Sequence, residues 1–278
     1  MLTKHKSYSS LMLALCLWCS ASLAEGVRES GAAEAFDHSA WNRLLQANVV
    51  SDDGGQSTAV NYQGMADQRQ ALKHYLDDLA AVKQAQFDGW SHDEQLAFLI
   101  NAYNAWTVEL ILGTWPDLES IKDLGSWLRS PWSRALAPLL GSKQTLDNIE
   151  HDLIRGSGRY NNPLIHFAVN CASIGCPPLR AEAYTGAHLK EQLEQQTRLF
   201  LANRQQNRLT GDDLMVSSIF KWYRQDFERG WHGYQRLEDF LAHYADVLGL
   251  SATDKARLLK EELDIGFLDY DWQLNQTR

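Results

Sequence analysis

The segment that most constrains the fold is residues 96–112 (LAFLINAYNAWTVELIL), the most apolar stretch of the chain after residue 24. Ser91 and Glu94 precede it with the spacing of a capping box, so a helix is expected to begin near residue 92. Few charged residues interrupt it, and a helix that is apolar all round is typical of a domain centre. We therefore predict one central buried helix with the other elements packed around it.

The first residues have the composition of a secretory signal peptide. Lys4 and Lys6 supply a positive start, residues 11–18 (LMLALCLW) form a short apolar run, and Ala24 ends a small-residue cleavage pattern. The run is too short for a membrane-spanning helix, which needs about 20 apolar residues. We therefore expect cleavage near Ala24, a periplasmic or secreted mature protein, and no membrane span in that protein.

The chain is predicted to consist of a signal peptide at residues 1–24, an N-terminal extension at 25–58 and one domain at 59–278. No repeat, low-complexity tract or Pro/Ser linker divides the last of these. Its pattern is mostly helical, with a hairpin around a Gly-Asp turn near residues 208–216 and a helix over 219–227. The expected fold class is α+β: a helix-rich single domain with a small β-sheet.

The charge balance argues against a nucleic-acid partner. The chain carries 35 acidic and 26 basic side chains, and its net charge of −9 becomes −11 once Lys4 and Lys6 leave with the signal peptide. Proteins that bind nucleic acid usually present a basic face to the phosphates. The sequence also lacks a glycine-rich phosphate loop and an H-E-x-x-H pair, so no cofactor or metal is predicted. The oligomeric state stays open.

Several segments together resemble the DUF547 family, a class of domain without an assigned function. They follow one another over approximately residues 60–275: 100–105 (INAYNA), 146–155 (LDNIEHDLIR), 165–179 (IHFAVNCASIGCPPL), 218–223 (SIFKWY) with Asp226 and Phe227, and 270–272 (YDW) with Leu274 and Asn275. Domains of this family also occur attached to glutaredoxin-like domains, so the resemblance implies thiol or glutathione-linked chemistry by association. A distant similarity to papain- and transglutaminase-like cysteine hydrolases is an analogy of fold.

The cysteines raise the main functional question. Cys16 and Cys19 lie in the predicted signal peptide, so the mature chain keeps Cys171 and Cys176. A disulfide between these two is feasible at this spacing and suits an oxidising compartment. A cysteine hydrolase needs instead a free thiolate, a histidine that accepts its proton and a polar group that orients the imidazole.

The candidate site residues follow from that chemistry and from the family segments. Cys171 is the candidate nucleophile and His166 or His151 the candidate base, with Asn104, Glu150 or Asp226 as the orienting group. The candidate binding residues are Asn101, Tyr103, Asn170, Cys176 and Trp222. Asn101 and Asn104 also admit a structural interpretation, since amides inside an apolar helix need hydrogen-bond partners. A zinc site on both cysteines, His151 and His166 stays open, although C-x4-C is loose spacing for zinc.

Three functional hypotheses remain. The first is a cysteine-dependent hydrolase or transferase that acts on an amide or thiol-containing small peptide. The second is a non-catalytic binding or scaffolding domain with a structural bond between Cys171 and Cys176. The third, a thiol–disulfide redox module, ranks below both because the C-x-x-C motif is missing.

Overall fold

The structure, a computed structural model, describes Met1 and Leu2 and residues 34–51, 54–126 and 130–277. The chain divides into two units, Met1–Ala32 and Ala33–Arg278. Almost the whole first unit, with the predicted signal peptide, lies outside the described residues. The fold given below is that of the second unit.

The second unit is mainly helical. Its α-helices are α1 (Ser39–Asn48), α2 (Tyr62–Asp67), α3 (Arg69–Ala81), α4 (Gln84–Asp88), α5 (His92–Leu112), α6 (Leu189–Ala202), α7 (Ile219–Trp222), α8 (Arg224–Phe227), α9 (Leu237–His243) and α10 (Ala252–Leu259). Short 3-10 helices occur at Ile121–Leu124, Pro131–Ser133, Pro163–Phe167 and Trp231–Gly233, and Asn148–Arg155 forms a π-helix.

Helix α5 is the centre of this unit. It begins where the capping pattern predicts, because the Ser91 hydroxyl accepts a hydrogen bond from the Glu94 N–H at 3.2 Å. From residue 96 to its end, only Trp106 and Glu109 are more than marginally exposed. The predicted central buried helix is therefore confirmed. The α1 helix also joins the core, where the Trp41 ring stacks on that of Tyr75 with centroids 5.9 Å apart.

Strands form three small sheets. The strands are β1 (Val49–Ser51), β2 (Thr58–Val60), β3 (Ala137–Leu139), β4 (Ser142–Gln144), β5 (Arg208–Thr210), β6 (Asp213–Ser217) and β7 (Asp264–Leu268). The β1–β2 and β3–β4 pairs are antiparallel, and β6 pairs antiparallel with β5 and parallel with β7. The predicted hairpin is confirmed as β5–β6, and the α+β class is confirmed with it.

Two local features differ from expectation or go beyond it. The helix predicted over residues 219–227 is divided into α7 and α8, because Tyr223 leaves the helical region at φ −112° and ψ 21°. The parallel β6–β7 pairing joins segments about fifty residues apart, which local periodicity does not reveal. No helix in the described part of the chain combines the length and the hydrophobicity that a membrane span requires.

Candidate functional site

One cleft brings together most of the residues singled out in the sequence. Its volume is about 190 Å³. Side chains reach it from α5, the π-helix, the 3-10 helices at Pro131–Ser133 and Pro163–Phe167, the cysteine loop (residues 171–176), α7 and the C-terminal segment (residues 269–277). The lining residues are Tyr103, Trp132, Asp147, Glu150, His151, His166, Val169, Cys171, Cys176, Pro177, Ile219, Trp222, Tyr223, Tyr270 and Trp272.

The two cysteines of the cleft are joined in a disulfide, with their Cα atoms 6.1 Å apart. Cys171 is partly exposed, whereas Cys176 is buried. The Tyr270 hydroxyl lies 3.1 Å from Cys171 Sγ and 3.2 Å from Cys176 Sγ, and the Ser173 hydroxyl lies 3.3 Å from each sulfur. In this state neither sulfur is a thiolate, and neither is available to a zinc ion.

Hydrogen bonds fix the cysteine loop in place. Ala172 adopts a left-handed conformation at φ 61°, which costs energy for a residue other than glycine. The Asn170 side chain compensates, since it accepts from the Ala172 N–H at 2.9 Å and donates to the Pro177 carbonyl at 2.8 Å. The Gly175 N–H donates to the Asp271 carbonyl at 2.8 Å, and a Cβ at Gly175 would lie 3.0 Å from that backbone. The loop is therefore held against the C-terminal segment.

The π-helix supplies the acidic part of the cleft. Such helices are rare and frequently occur at functional sites. Glu150 lies on this helix and is 7% exposed. Its Oε1 accepts a hydrogen bond from the Tyr223 hydroxyl at 2.7 Å. Asp147 precedes the helix, and burial raises the pKa of its carboxyl, with the nearby Glu150 and Asp152 carboxylates adding to that effect and His151 opposing it.

A histidine and an aspartate form a buried pair behind the cleft. His166 Nε2 lies 2.8 Å from Asp226 Oδ2, and the His166 ring stacks on that of Tyr223 at 4.0 Å between centroids. Burial lowers the pKa of His166 below its usual value, although the hydrogen bond to Asp226 opposes this shift. His166 is therefore a neutral imidazole at neutral pH, with its proton on Nε2. Its Nδ1 is buried and has no hydrogen-bond partner within the part of the chain that the structure describes, so it is a free acceptor there.

Arg155 connects the π-helix with this pair. Its Nε donates to Asp226 Oδ2 at 2.6 Å, and its Nη1 donates to His151 Nδ1 at 2.8 Å. The guanidinium carbon also lies 4.7 Å from the ring centre of Tyr223. Because arginine has only donors, His151 Nδ1 must be the acceptor, and the His151 proton lies on Nε2. Both cleft histidines are thus fixed in one tautomer.

Three tyrosines of the cleft remain protonated well above neutral pH. Burial raises the pKa of Tyr103, Tyr223 and Tyr270, and the nearby Glu150 carboxylate raises it further in each case. Their hydroxyls therefore act as hydrogen-bond donors. The Tyr223 hydroxyl, for example, donates a hydrogen bond to Glu150.

The mouth of the cleft is aromatic. The Trp222 ring lies 4.8 Å from that of Tyr270 and 5.8 Å from that of Trp272, and Trp132 lies 6.0 Å from Trp272. Trp222 is 47% exposed, which is high for so large an apolar ring. Exposed aromatic rings beside a cleft are typical of binding surfaces.

The structure places the predicted site residues in three groups. Seven line the cleft: Tyr103, Glu150, His151, His166, Cys171, Cys176 and Trp222. Asp226 lies behind His166, as an orienting group would. The three asparagines bind backbone instead: Asn101 bridges the N–H and carbonyl of Tyr184, Asn104 bridges the Ala168 carbonyl and the Asn170 N–H, and Asn170 holds the cysteine loop. Such hydrogen bonds to the backbone are typical of residues that stabilise the fold.

Sequence reasoning did not single out several residues of the site. Arg155 stands four positions after His151, a spacing that brings side chains together on a helix. Tyr270 and Trp272 alternate along an extended segment, so they share one side of it. Asp147 lies in the family segment 146–155, which gives it a signal of another kind, whereas Trp132 lies outside the family segments.

Fold and site define the class: a helix-rich α+β domain with a disulfide and an aspartate-bound histidine at one aromatic cleft. Residues 87–201 match the model of a family described as "Protein of unknown function, DUF547". Over these residues the chain is similar to the DUF547 family, as the resemblance implies. The match includes both cysteines, His166 and the π-helix, whereas Asp226 and Tyr270 lie beyond it. Searches of the curated proteins and of the solved structures found no match.

Proposed function

We propose that the protein is an exported binding domain that holds a small molecule or a small peptide in the cleft beside the Cys171–Cys176 bond. The observation that carries this proposal is the bond itself. With both sulfurs engaged, the cleft contains no thiolate, and a nucleophilic role would first require a reductant. The bonded loop instead gives the cleft one rigid wall, and a preformed wall lowers the entropic cost of binding.

Three further features support a binding role. The cleft is concave and mostly aromatic, with a few polar groups whose positions are fixed by hydrogen bonds, as in typical small-molecule sites. Its most exposed ring, Trp222, offers a surface for stacking. A disulfide suits an oxidising compartment, in agreement with the signal-like N-terminus. We therefore assign the mature protein to the periplasm or the cell exterior.

A fragment-binding experiment tests this proposal. In ligand-observed NMR with a chemically diverse fragment set, the oxidised protein is expected to bind a subset of fragments. Trp222→Ala should weaken the binding of these fragments by about tenfold, or 1.4 kcal/mol, because it removes one aromatic wall of the cleft. Trp231→Ala is the matched control, since that ring lies outside the cleft lining and its loss should leave fragment affinity unchanged. Absence of binding, or equal effects of both variants, would contradict the proposal.

A second function is favoured by one observation, the buried His166–Asp226 pair in the same cleft as Cys171. An aspartate that fixes a neutral imidazole, with the other ring nitrogen free, is the arrangement of a general base. On reduction, Cys171 would then be the nucleophile of a cysteine-dependent hydrolase or transferase. The two functions differ in the thiol state of the native protein: the binding domain keeps the bond, and the hydrolase requires a free Cys171.

A further inference from the structure

The carboxyl groups of the cleft lining give it a preference for cations. Two carboxyl groups, those of Asp147 and Glu150, belong to its lining, whereas no lysine or arginine among the described residues does. Glu150 is nearly buried, and among the described residues no lysine or arginine forms an ion pair with it. Among the described residues, the one possible ion-pair partner of Glu150 is His151, whose Nδ1 lies 3.8 Å from Glu150 Oε1 but accepts a hydrogen bond from Arg155. A buried carboxylate without a counter-charge is costly, and a bound cation would remove that cost.

His166, another residue of the lining, provides a second hydrogen-bond acceptor. His166 is 3% exposed, and its Nδ1 carries a lone pair that has no partner among the described residues. A buried acceptor left without a hydrogen bond costs about 1–3 kcal/mol. A ligand that donates an N–H to this nitrogen would satisfy it, whereas an anion or an ether would not.

The aromatic mouth fits the same ligand. Faces of tryptophan and tyrosine attract cations, because the ring face carries negative potential. Trp272 already holds one cation in this way, since Lys122 Nζ lies 3.8 Å from its ring centre. Lys122 itself is not part of the cleft lining. Trp222 and Tyr270 extend the aromatic surface into the cleft.

We infer that the cleft selects a small organic cation that bears N–H groups, which donate to Glu150 and to His166 Nδ1 while the apolar part packs against Trp222. This inference rests on the proposed binding function and names its ligand class. Charge-assisted hydrogen bonds to Glu150 provide most of the selectivity, because they are about twice as strong as neutral ones. The acceptor on His166 distinguishes an N–H cation from a quaternary ammonium.

The test uses four matched probes with the oxidised mature protein: benzylamine, benzyl alcohol, benzyltrimethylammonium and benzoate. Titrations followed by tryptophan fluorescence or calorimetry near pH 7 should show benzylamine binding at least about tenfold more tightly than benzyl alcohol. Benzyltrimethylammonium, which lacks N–H groups, should bind more weakly than benzylamine. Benzoate should show no measurable binding.

Two variants complete the test. Glu150→Gln should weaken the binding of benzylamine by about tenfold and leave the affinity for benzyl alcohol unchanged. The amide keeps the shape of the side chain and the acceptor for Tyr223, but it loses the charge. Asp152→Asn is the matched control on the same helix: it removes the same charge from an exposed residue outside the cleft lining, and benzylamine affinity should not change. Thermal melts of both variants establish that each is folded.

The outcomes separate this inference from the proposal on which it rests. Equal binding of benzylamine and benzyl alcohol, equal losses in the two variants, or no binding of benzylamine overturns the cation preference. Benzyltrimethylammonium binding as tightly as benzylamine overturns the N–H requirement. Neutral or anionic probes that bind as tightly as benzylamine and lose affinity in Trp222→Ala would overturn the ligand class while the binding function itself stands.

Discussion

Replacing Asp226 with asparagine is expected to lower the free energy of unfolding by about 3 kcal/mol, the cost of removing one partner from a buried ion pair. Asp226 Oδ2 accepts from Arg155 Nε and from His166 Nε2, and Arg229 lies 3.2 Å from Oδ1. The amide keeps the size of the side chain but leaves the Arg155 charge without its counter-charge. Urea unfolding at neutral pH measures the difference.

Asp246→Asn is the matched control for this prediction. Asp246 also contacts an arginine at 2.6 Å, but its side chain is 66% exposed and that of Arg198 is 44% exposed. Exposed ion pairs contribute about 0–1 kcal/mol, so this variant should remain close to the parent protein. Equal losses in the two variants would show that burial of the Asp226 group is not the cause.

At acid pH, the free energies of unfolding of the parent protein and of Asp226→Asn should become more similar. Burial raises the pKa of Asp226, but hydrogen bonds from His166 and Arg155 more than offset this and hold the pKa below its usual value. The carboxylate therefore stabilises the fold above the unfolded-state pKa of about 4, and that stabilisation is lost as the pH falls further. The asparagine variant has no such group to protonate, so its stability deficit should shrink below pH ~4. A constant deficit down to the acid limit would contradict the assignment.

Asn104→Ala is expected to destabilise the protein by about 3 kcal/mol, because it leaves two buried backbone groups without partners. The Asn104 side chain donates to the Ala168 carbonyl at 2.9 Å and accepts from the Asn170 N–H at 2.8 Å. These residues lie between His166 and Cys171, so the backbone that supports the cleft should loosen too. Chemical unfolding and fragment affinity measure the two effects separately.

Asn101→Ala is the matched control for Asn104. Asn101 lies on the same buried helix and makes the same kind of bridge, to the N–H and carbonyl of Tyr184. The two variants should lose similar stability, but only Asn104→Ala should weaken fragment binding in the cleft. An Asn104→Ala protein that keeps its stability yet loses binding would assign Asn104 to the site chemistry instead.

The sequence contains enough information to predict the central helix and the chain segments that meet at the cleft. Residues 96–112 are apolar on all sides, and burial on all sides follows directly from that pattern. The β5–β6 hairpin depends on a local turn, so its signal is also local. The β6–β7 pairing and the packing of the cysteine loop on residues 271–275 depend on contacts that are distant in sequence. Local periodicity in the sequence does not reveal such contacts.

The sequence predicts which residues belong to the site better than it predicts how they are arranged. Residue types and family segments brought His166, Cys171 and Glu150 together as candidates, and all three line one cleft. Which group orients His166 depends on how α8 packs against the 3-10 helix, and the sequence left Asn104, Glu150 and Asp226 open. The π-helix also escaped prediction, since its wider turn changes which side chains of residues 148–155 point inward.

The thiol state of the native protein, in the mature form proposed above, tests the central claim most directly. The folded protein is treated with iodoacetamide before any reductant is added, and its intact mass is measured. If the Cys171–Cys176 bond is a permanent wall of a binding cleft, the mass stays unchanged, and two adducts form only when the protein is reduced and unfolded before alkylation. A single adduct on Cys171 in the native protein, formed more slowly in His166→Ala, would contradict the binding domain and support the cysteine hydrolase.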